Sequence, residues 1–159
     1  MDGLIDITQL GVTLTPLPSF ATDGGEVRRI LRNNEETYSG FGEVYMTTIT
    51  KGVVRGWKRH TKYSCNLVPI LGAVQFIFAN LTTGQITRAI ELSTKNYARL
   101  FIPSGIWFVF RGINEDNYIL NILNQIHSSD EVERKNIEDS SLKINWDAEV
   151  YSARVHSSV

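Results

Sequence analysis

The chain alternates apolar and polar residues with the period of strands rather than helices. Residues 42–50 (GEVYMTTIT), 65–71 (CNLVPIL), 73–79 (AVQFIFA), 85–92, 98–102, 107–111 and 118–126 are short and rich in Val, Ile, Thr and aromatic residues. That composition fits a pleated, half-buried surface. Turn signals separate the runs: Lys51-Gly52, Thr83-Gly84, Pro103-Ser104-Gly105 and the stretch 114–117. Many short strands with regular turns predict an all-β sandwich or barrel. Pro69 lacks an amide hydrogen, so its strand is expected at an edge or a bulge. Residues 27–31 read as an extra N-terminal strand.

One short C-terminal helix is expected. Ser128 followed by Glu131 is a capping box, and Asp130, Glu131 and Glu133 suit a helix N-terminus. The helix would run to about residue 136, with the charges of 130–135 on its solvated face. No repeat, linker or low-complexity segment breaks the chain, which reads as one domain, 1–159. After Trp146-Asp147 the pattern fades, and a loose tail is expected there.

At 159 residues and 42% hydrophobic content the chain is long enough for a real core. Its net charge of −1 gives no general affinity for nucleic acid or anionic membrane. No apolar run reaches membrane-spanning length. The first residues, MDGLIDITQLGV, lack the basic start of a signal peptide. A lone Cys65 excludes an internal disulfide and fits a reducing cytoplasm, the expected location. Phosphate-binding Gly loops and zinc-like Cys/His clusters are absent from the sequence.

The stretch 52–72, GVVRGWKRHTKYSCNLVPILG, keeps the spacing of a cupin metal-binding motif. That motif runs Gly, five residues, His-x-His, three or four residues, Glu, six residues, Gly. Here Gly52 and Gly72 bracket Lys58, His60 and Cys65 at the ligand positions. Only one imidazole survives, so no metal and no other cofactor is expected. A second, degenerate half follows. Pro103-Ser104-Gly105 matches Pro-x-Gly, but Phe108 stands at the ligand His, and Tyr97 at the upstream Gly. Together the two halves predict an all-β cupin, a jelly-roll barrel.

Phe41-Gly42-Glu43-Val44-Tyr45, the run from Gly52 to Lys58, Ile102-Pro103-Ser104-Gly105 and Ile144-Asn145-Trp146 resemble the dTDP-4-dehydrorhamnose 3,5-epimerase family. The likeness spans about residues 23–146. The run Arg55-Gly56-Trp57-Lys58-Arg59-His60 is also similar to the Arg-Gly-aromatic-His-x-His of the related 3,4-ketoisomerases. The resemblance implies a metal-independent homodimer acting on a nucleotide-linked 4-keto hexose, with no nucleic-acid or membrane partner. It implies a place in polysaccharide or antibiotic sugar synthesis, and residues 27–31 pairing across the dimer. The family base, a His, falls at Lys58. The family catalytic Tyr falls at Gln125-Ile126, and a basic strand residue at Cys65 or Asn66.

Epimerisation beside a ketone needs a base, an acid and a group that stabilises the enolate. His60 is the candidate base by residue type. Lys58 shares its strand parity. Lys58 either stabilises the enolate as a cation or acts as a base if burial and Arg55 and Arg59 favour the neutral amine. Tyr45 is the candidate proton donor, with Tyr118 behind it. Arg55, Arg59, Asn66 and Trp107 are the candidate substrate-binding residues: Arg55 suits phosphate, and Trp107 a stacked base or sugar. His127 and His156 read as incidental, and Cys65 as a small core residue.

Two functions follow. The first is a sugar-nucleotide 4-ketose epimerase or isomerase. The second is a non-catalytic cupin that binds a nucleotide sugar or a partner protein. A metal-dependent dioxygenase is a distant third.

Overall fold

The computed structural model describes residues 4–139, 141–147 and 151–152. The N-terminal strands are β1 (Leu4–Ile5), β2 (Thr13–Pro16), β3 (Ser19–Thr22) and β4 (Gly25–Arg28). The central ones are β5 (Glu43–Thr50), β6 (Val54–His60), β7 (Cys65–Leu71), β8 (Ala73–Asn80), β9 (Gln85–Thr87) and β10 (Ile90–Ser93). The remainder are β11 (Ala98–Ile102), β12 (Trp107–Gly112), β13 (Asp116–Leu123), β14 (Val132–Arg134) and β15 (Tyr151–Ser152).

Two sheets face each other. One runs β1-β9-β8-β12-β6-β14, with β10 also on β8 and β15 on β10; the other runs β2-β11-β7-β13-β5. This is the cupin jelly roll that the sequence predicts. Between the sheets lies a core that includes Val12, Val74, Phe76, Phe78, Leu92, Leu100, Phe108 and Leu123. A second cluster covers the outer face of the first sheet. Trp57, Ile77, Trp107 and Val109 pack there beneath Ile137, Leu142, Ile144 and Trp146. β8 is therefore covered on both faces, which explains why it is apolar without alternation.

β7 lies between β11 and β13, but its ladder with β11 covers only Cys65–Leu67, so Pro69 is paired on the β13 side alone, as at an edge. The ladder shifts register between Tyr118 and Ile119, and Ile119 pairs with Pro69. The bulge reading therefore holds as well. Other expectations change. The run 85–92 breaks into β9 and β10. The expected strand at 27–31 is displaced to β4, which among the described residues pairs only with β3, in a hairpin. Beyond it, Tyr97 donates to the Arg29 carbonyl at 3.1 Å, and Arg99 to that of Ile30 at 2.7 Å.

The expected C-terminal helix is absent. Ser128 makes no capping bond, and Ser129–Glu131 is a single 3-10 turn. The chain then extends as β14, antiparallel to β6. Edge pairing with β6 and burial of Glu131 outweigh the local helix signal. Of the expected loose tail, β15 is a short strand parallel to β10. The other residues after Asp147, His156 among them, lie outside the described residues.

Candidate active site

The site begins with a bulge in β6. Trp57 and Arg59 turn to the outer layer, while Lys58 and His60 line the interior. Strict alternation would send Arg55 outward with Trp57. Instead Phe108 pairs with Lys58 and Phe110 with Arg55, so Gly56 and Trp57 together oppose Val109 alone. The extra residue reverses the parity and brings Arg55 to the interior face. Gly56 permits it. Its φ is +124°, and a Cβ there would lie 2.6 Å from the Phe108 carbonyl oxygen.

The cavity so formed measures about 310 Å³. One sheet supplies Arg55, Lys58 and His60, and the other Tyr45, Cys65 and Asn121, with Phe76, Phe108 and Phe110 as apolar wall. His60 is 3% exposed, and its Nδ1 lies 2.5 Å from Oε1 of Glu131, itself 2% exposed. The Lys62 amide donates to the other carboxylate oxygen at 3.3 Å. Thr61 holds the Glu131 carbonyl through its amide at 2.9 Å and its hydroxyl at 2.8 Å. Nδ1 donates to Glu131, so a neutral ring keeps its lone pair on Nε2, which has no hydrogen-bond partner among the described residues. Burial holds His60 below the ordinary imidazole range, and the charge of Lys58 adds to this; the Glu131 hydrogen bond opposes it.

Lys58 is largely enclosed. Its Nζ lies over the rings of Phe108 (5.3 Å) and Phe110 (5.9 Å) and pairs with no carboxylate among the described residues. Burial lowers its pKa, with Arg55 and Arg134 acting in the same direction and Cys65 and Glu131 against. Tyr45 accepts a hydrogen bond from Asn121 Nδ2 at 3.0 Å. Burial pushes its phenol up to about 12, so it stays protonated as a donor must. Burial likewise pushes the Cys65 thiol up to about 12. That residue is an inert wall, in keeping with its reading as core.

The structure thus brings together four of the seven sequence candidates: Tyr45, Arg55, Lys58 and His60. The other three face away. Arg59 ion-pairs with Glu133 and covers Trp107 at 4.8 Å, outside the barrel. Trp107 is buried in the outer cluster. Asn66 has the opposite parity to Cys65 and donates to the Thr37 carbonyl at 3.0 Å. Each is displaced by strand alternation, which the motif spacing does not resolve. Several residues of the site escape the sequence reading, among them Asn121, Glu131 and His127. Glu131 was assigned to a helix surface, and nothing local marks it as a partner of His60. His127 lines the cavity, its amide held by Glu43 at 2.9 Å.

A cupin metal does not fit these residues. Lys58, Cys65 and Phe108 occupy the ligand positions, and no group of three or more His, Cys, Asp or Glu suited to a metal exists among the described residues.

The two sheets form a cupin-like barrel whose cavity gathers an imidazole, an amine and a phenol. Solved structures similar to this fold include nucleotide-sugar enzymes. A dTDP sugar isomerase from Desulfovibrio desulfuricans G20 superposes with a TM-score of 0.77 at 24% identity, over 87% of this chain and 92% of that one. A dTDP-4-dehydrorhamnose 3,5-epimerase from Elizabethkingia anophelis NUHP1 gives 0.72 at 18% identity, over 87% and 82%. The sugar 3,4-ketoisomerase QdtA from Thermoanaerobacterium thermosaccharolyticum, solved with TDP, gives 0.67 at 20% identity, over 78% and 88%. These likenesses establish the fold. No family model and no curated protein matches the sequence. No helix among the described residues is long and apolar enough to cross a membrane.

Proposed function

We propose that this chain is a nucleotide-diphosphate-sugar 4-ketose epimerase or isomerase. It works by metal-free proton abstraction next to the C4 ketone. The observation that carries the reading is one cavity holding a carboxylate-oriented imidazole, an interior amine and a protonated phenol. His60 Nε2 takes the α-proton, while Glu131 fixes the ring and stabilises the imidazolium as it forms. Lys58 supplies positive charge at C4, where the electron pair of the broken C–H bond is drawn. Tyr45 stands on the opposite sheet and returns a proton from the other side.

The cavity suits the sugar, and its flank suits the diphosphate. A recess of about 340 Å³ adjoins it, lined by Arg55, Lys58, Arg134 and Lys135 with no carboxylate among its lining residues. Cations so clustered favour a dianionic ligand. The outer face of the five-stranded sheet exposes Val44 and Met46 beside Ile122 and Leu120. That apolar face supports a homodimer. We place the reaction in the cytoplasm, in sugar synthesis for surface polysaccharide.

The test is solvent deuterium exchange into dTDP-4-keto-6-deoxyglucose and its CDP and GDP analogues, read at C3 and C5 by NMR. Exchange falling by about 100-fold or more in His60→Ala supports the reading. Nucleotide-sugar binding without exchange leaves the barrel a binding module.

A further inference from the structure

Several cations among the described residues are ion-paired. Arg28, Arg32, Lys51, Arg59 and Arg99 each hold a carboxylate. Lys58 does not. The cavity that it lines also holds Arg55, Arg134 and Glu43, but its Nζ makes no ion pair among the described residues and rests on the faces of Phe108 and Phe110. An enzyme needing only a fixed positive charge would be served by a paired, permanently protonated arginine. An amine kept off carboxylates, against aromatic walls and beside other cations, is instead in the setting that activates lysine as a nucleophile.

We propose that Lys58 forms an imine with the C4 carbonyl of the keto sugar, so that the α-proton is removed from a covalent intermediate. The inference rests on the 4-keto-sugar reading above. The neutral Nζ attacks C4 and gives a carbinolamine. Loss of the C4 hydroxyl, protonated to leave as water, gives the protonated imine. His60 Nε2 then takes the α-proton, and the electron pair of the C–H bond moves to form the enamine, neutralising the nitrogen. Tyr45 returns a proton to carbon. Water adds to C4, the C–N bond breaks, and the ketone and free Lys58 are restored. Burial lowers the pKa of Lys58 and so raises the share of neutral amine on which the first step draws.

The experiment has three arms. The full-length protein is incubated with dTDP-4-keto-6-deoxyglucose and its CDP and GDP analogues, then treated with borohydride. Intact mass and peptide mapping should show one sugar nucleotide attached, as a secondary amine at Lys58. In 18O-water the C4 oxygen should exchange faster than in the same solution without protein, which needs no variant. Lys58→Arg, which keeps the charge but forms no imine, should lose both the adduct and the deuterium exchange. Wild-type deuterium exchange with no adduct and no accelerated 18O exchange overturns the imine and leaves the 4-keto-sugar reading standing. Full deuterium exchange in Lys58→Arg does the same. Absence of deuterium exchange, adduct and 18O acceleration with every analogue overturns both.

Discussion

Glu131 and His60 are 71 residues apart in sequence, and their side chains meet at 2.5 Å in a place almost closed to water. The carboxylate decides which imidazole nitrogen carries the proton. Glu131→Gln should therefore act on chemistry more than on folding. An amide offers an N–H to Nδ1 and moves the ring proton to Nε2, where the base must be free. Exchange should drop by roughly 100-fold or more, as when an orienting carboxylate is removed elsewhere. Nucleotide binding should be unchanged by calorimetry. Unaltered exchange would remove Glu131 from the mechanism.

His60 also sets a pH dependence. Its folded pKa lies below the ordinary imidazole value of 6.5, chiefly through burial. Between the two values the unfolded chain binds more protons, so stability rises with pH there. Its contribution is complete above 6.5 and is lost as the pH falls through the folded value. Thermal melts should show a decline in Tm starting below about pH 6.5 that is smaller in His60→Gln. The exchange rate should fall in acid at a pH lower still. An identical pH profile in His60→Gln would contradict this.

Lys58 carries a conflict between stability and function. An enclosed cation without a counter-ion costs free energy. Lys58→Met keeps length and removes the charge. It should raise stability by about 1 kcal/mol in urea denaturation while abolishing exchange. A destabilised Lys58→Met would show that the amine has a packing role.

Gly56 couples the bulge to ligand binding. Gly56→Ala adds a methyl group that cannot fit beside the Phe108 carbonyl, at a positive φ unfavourable to alanine. Strain of about 1–3 kcal/mol is expected. Relief by losing the bulge would turn Arg55 out of the cavity. Titration with dTDP should show affinity falling further than in Arg59→Ala, because Arg59 is outside the cavity already.

Arg99 is 2% exposed, and its ion pair with Glu35 ties the loop after β4 to the five-stranded sheet. Glu35→Ala leaves a buried guanidinium without its carboxylate. A loss of about 3 kcal/mol is expected by chemical denaturation. Little change would mean that the Ile30 carbonyl suffices.

Much of this was legible in the sequence, and the boundary is physical. Alternation and turn residues located most strands, because both are local signals. The spacing from Gly52 to Gly72 located the barrel and placed Lys58 and His60 on one face. What failed depended on contacts across the chain. Ser128 and Glu131 have the form of a helix cap, yet β6 offers that segment an edge to pair with and a histidine to meet. The sides taken by Arg59, Asn66 and Trp107 follow from registers on β6, β7 and β12, which motif spacing does not encode.

β14 is three residues long and, among the strands, pairs only with β6. Short edge elements open more readily than the core of a sheet. If its opening also draws the preceding turn off Thr61 and Lys62, the barrel stays folded while His60 loses its carboxylate, and with it the role proposed for the pair. Catalytic competence is then governed by a local opening equilibrium cheaper than global unfolding. Amide hydrogen exchange at Val132–Arg134 reports the fraction of molecules that are folded but idle.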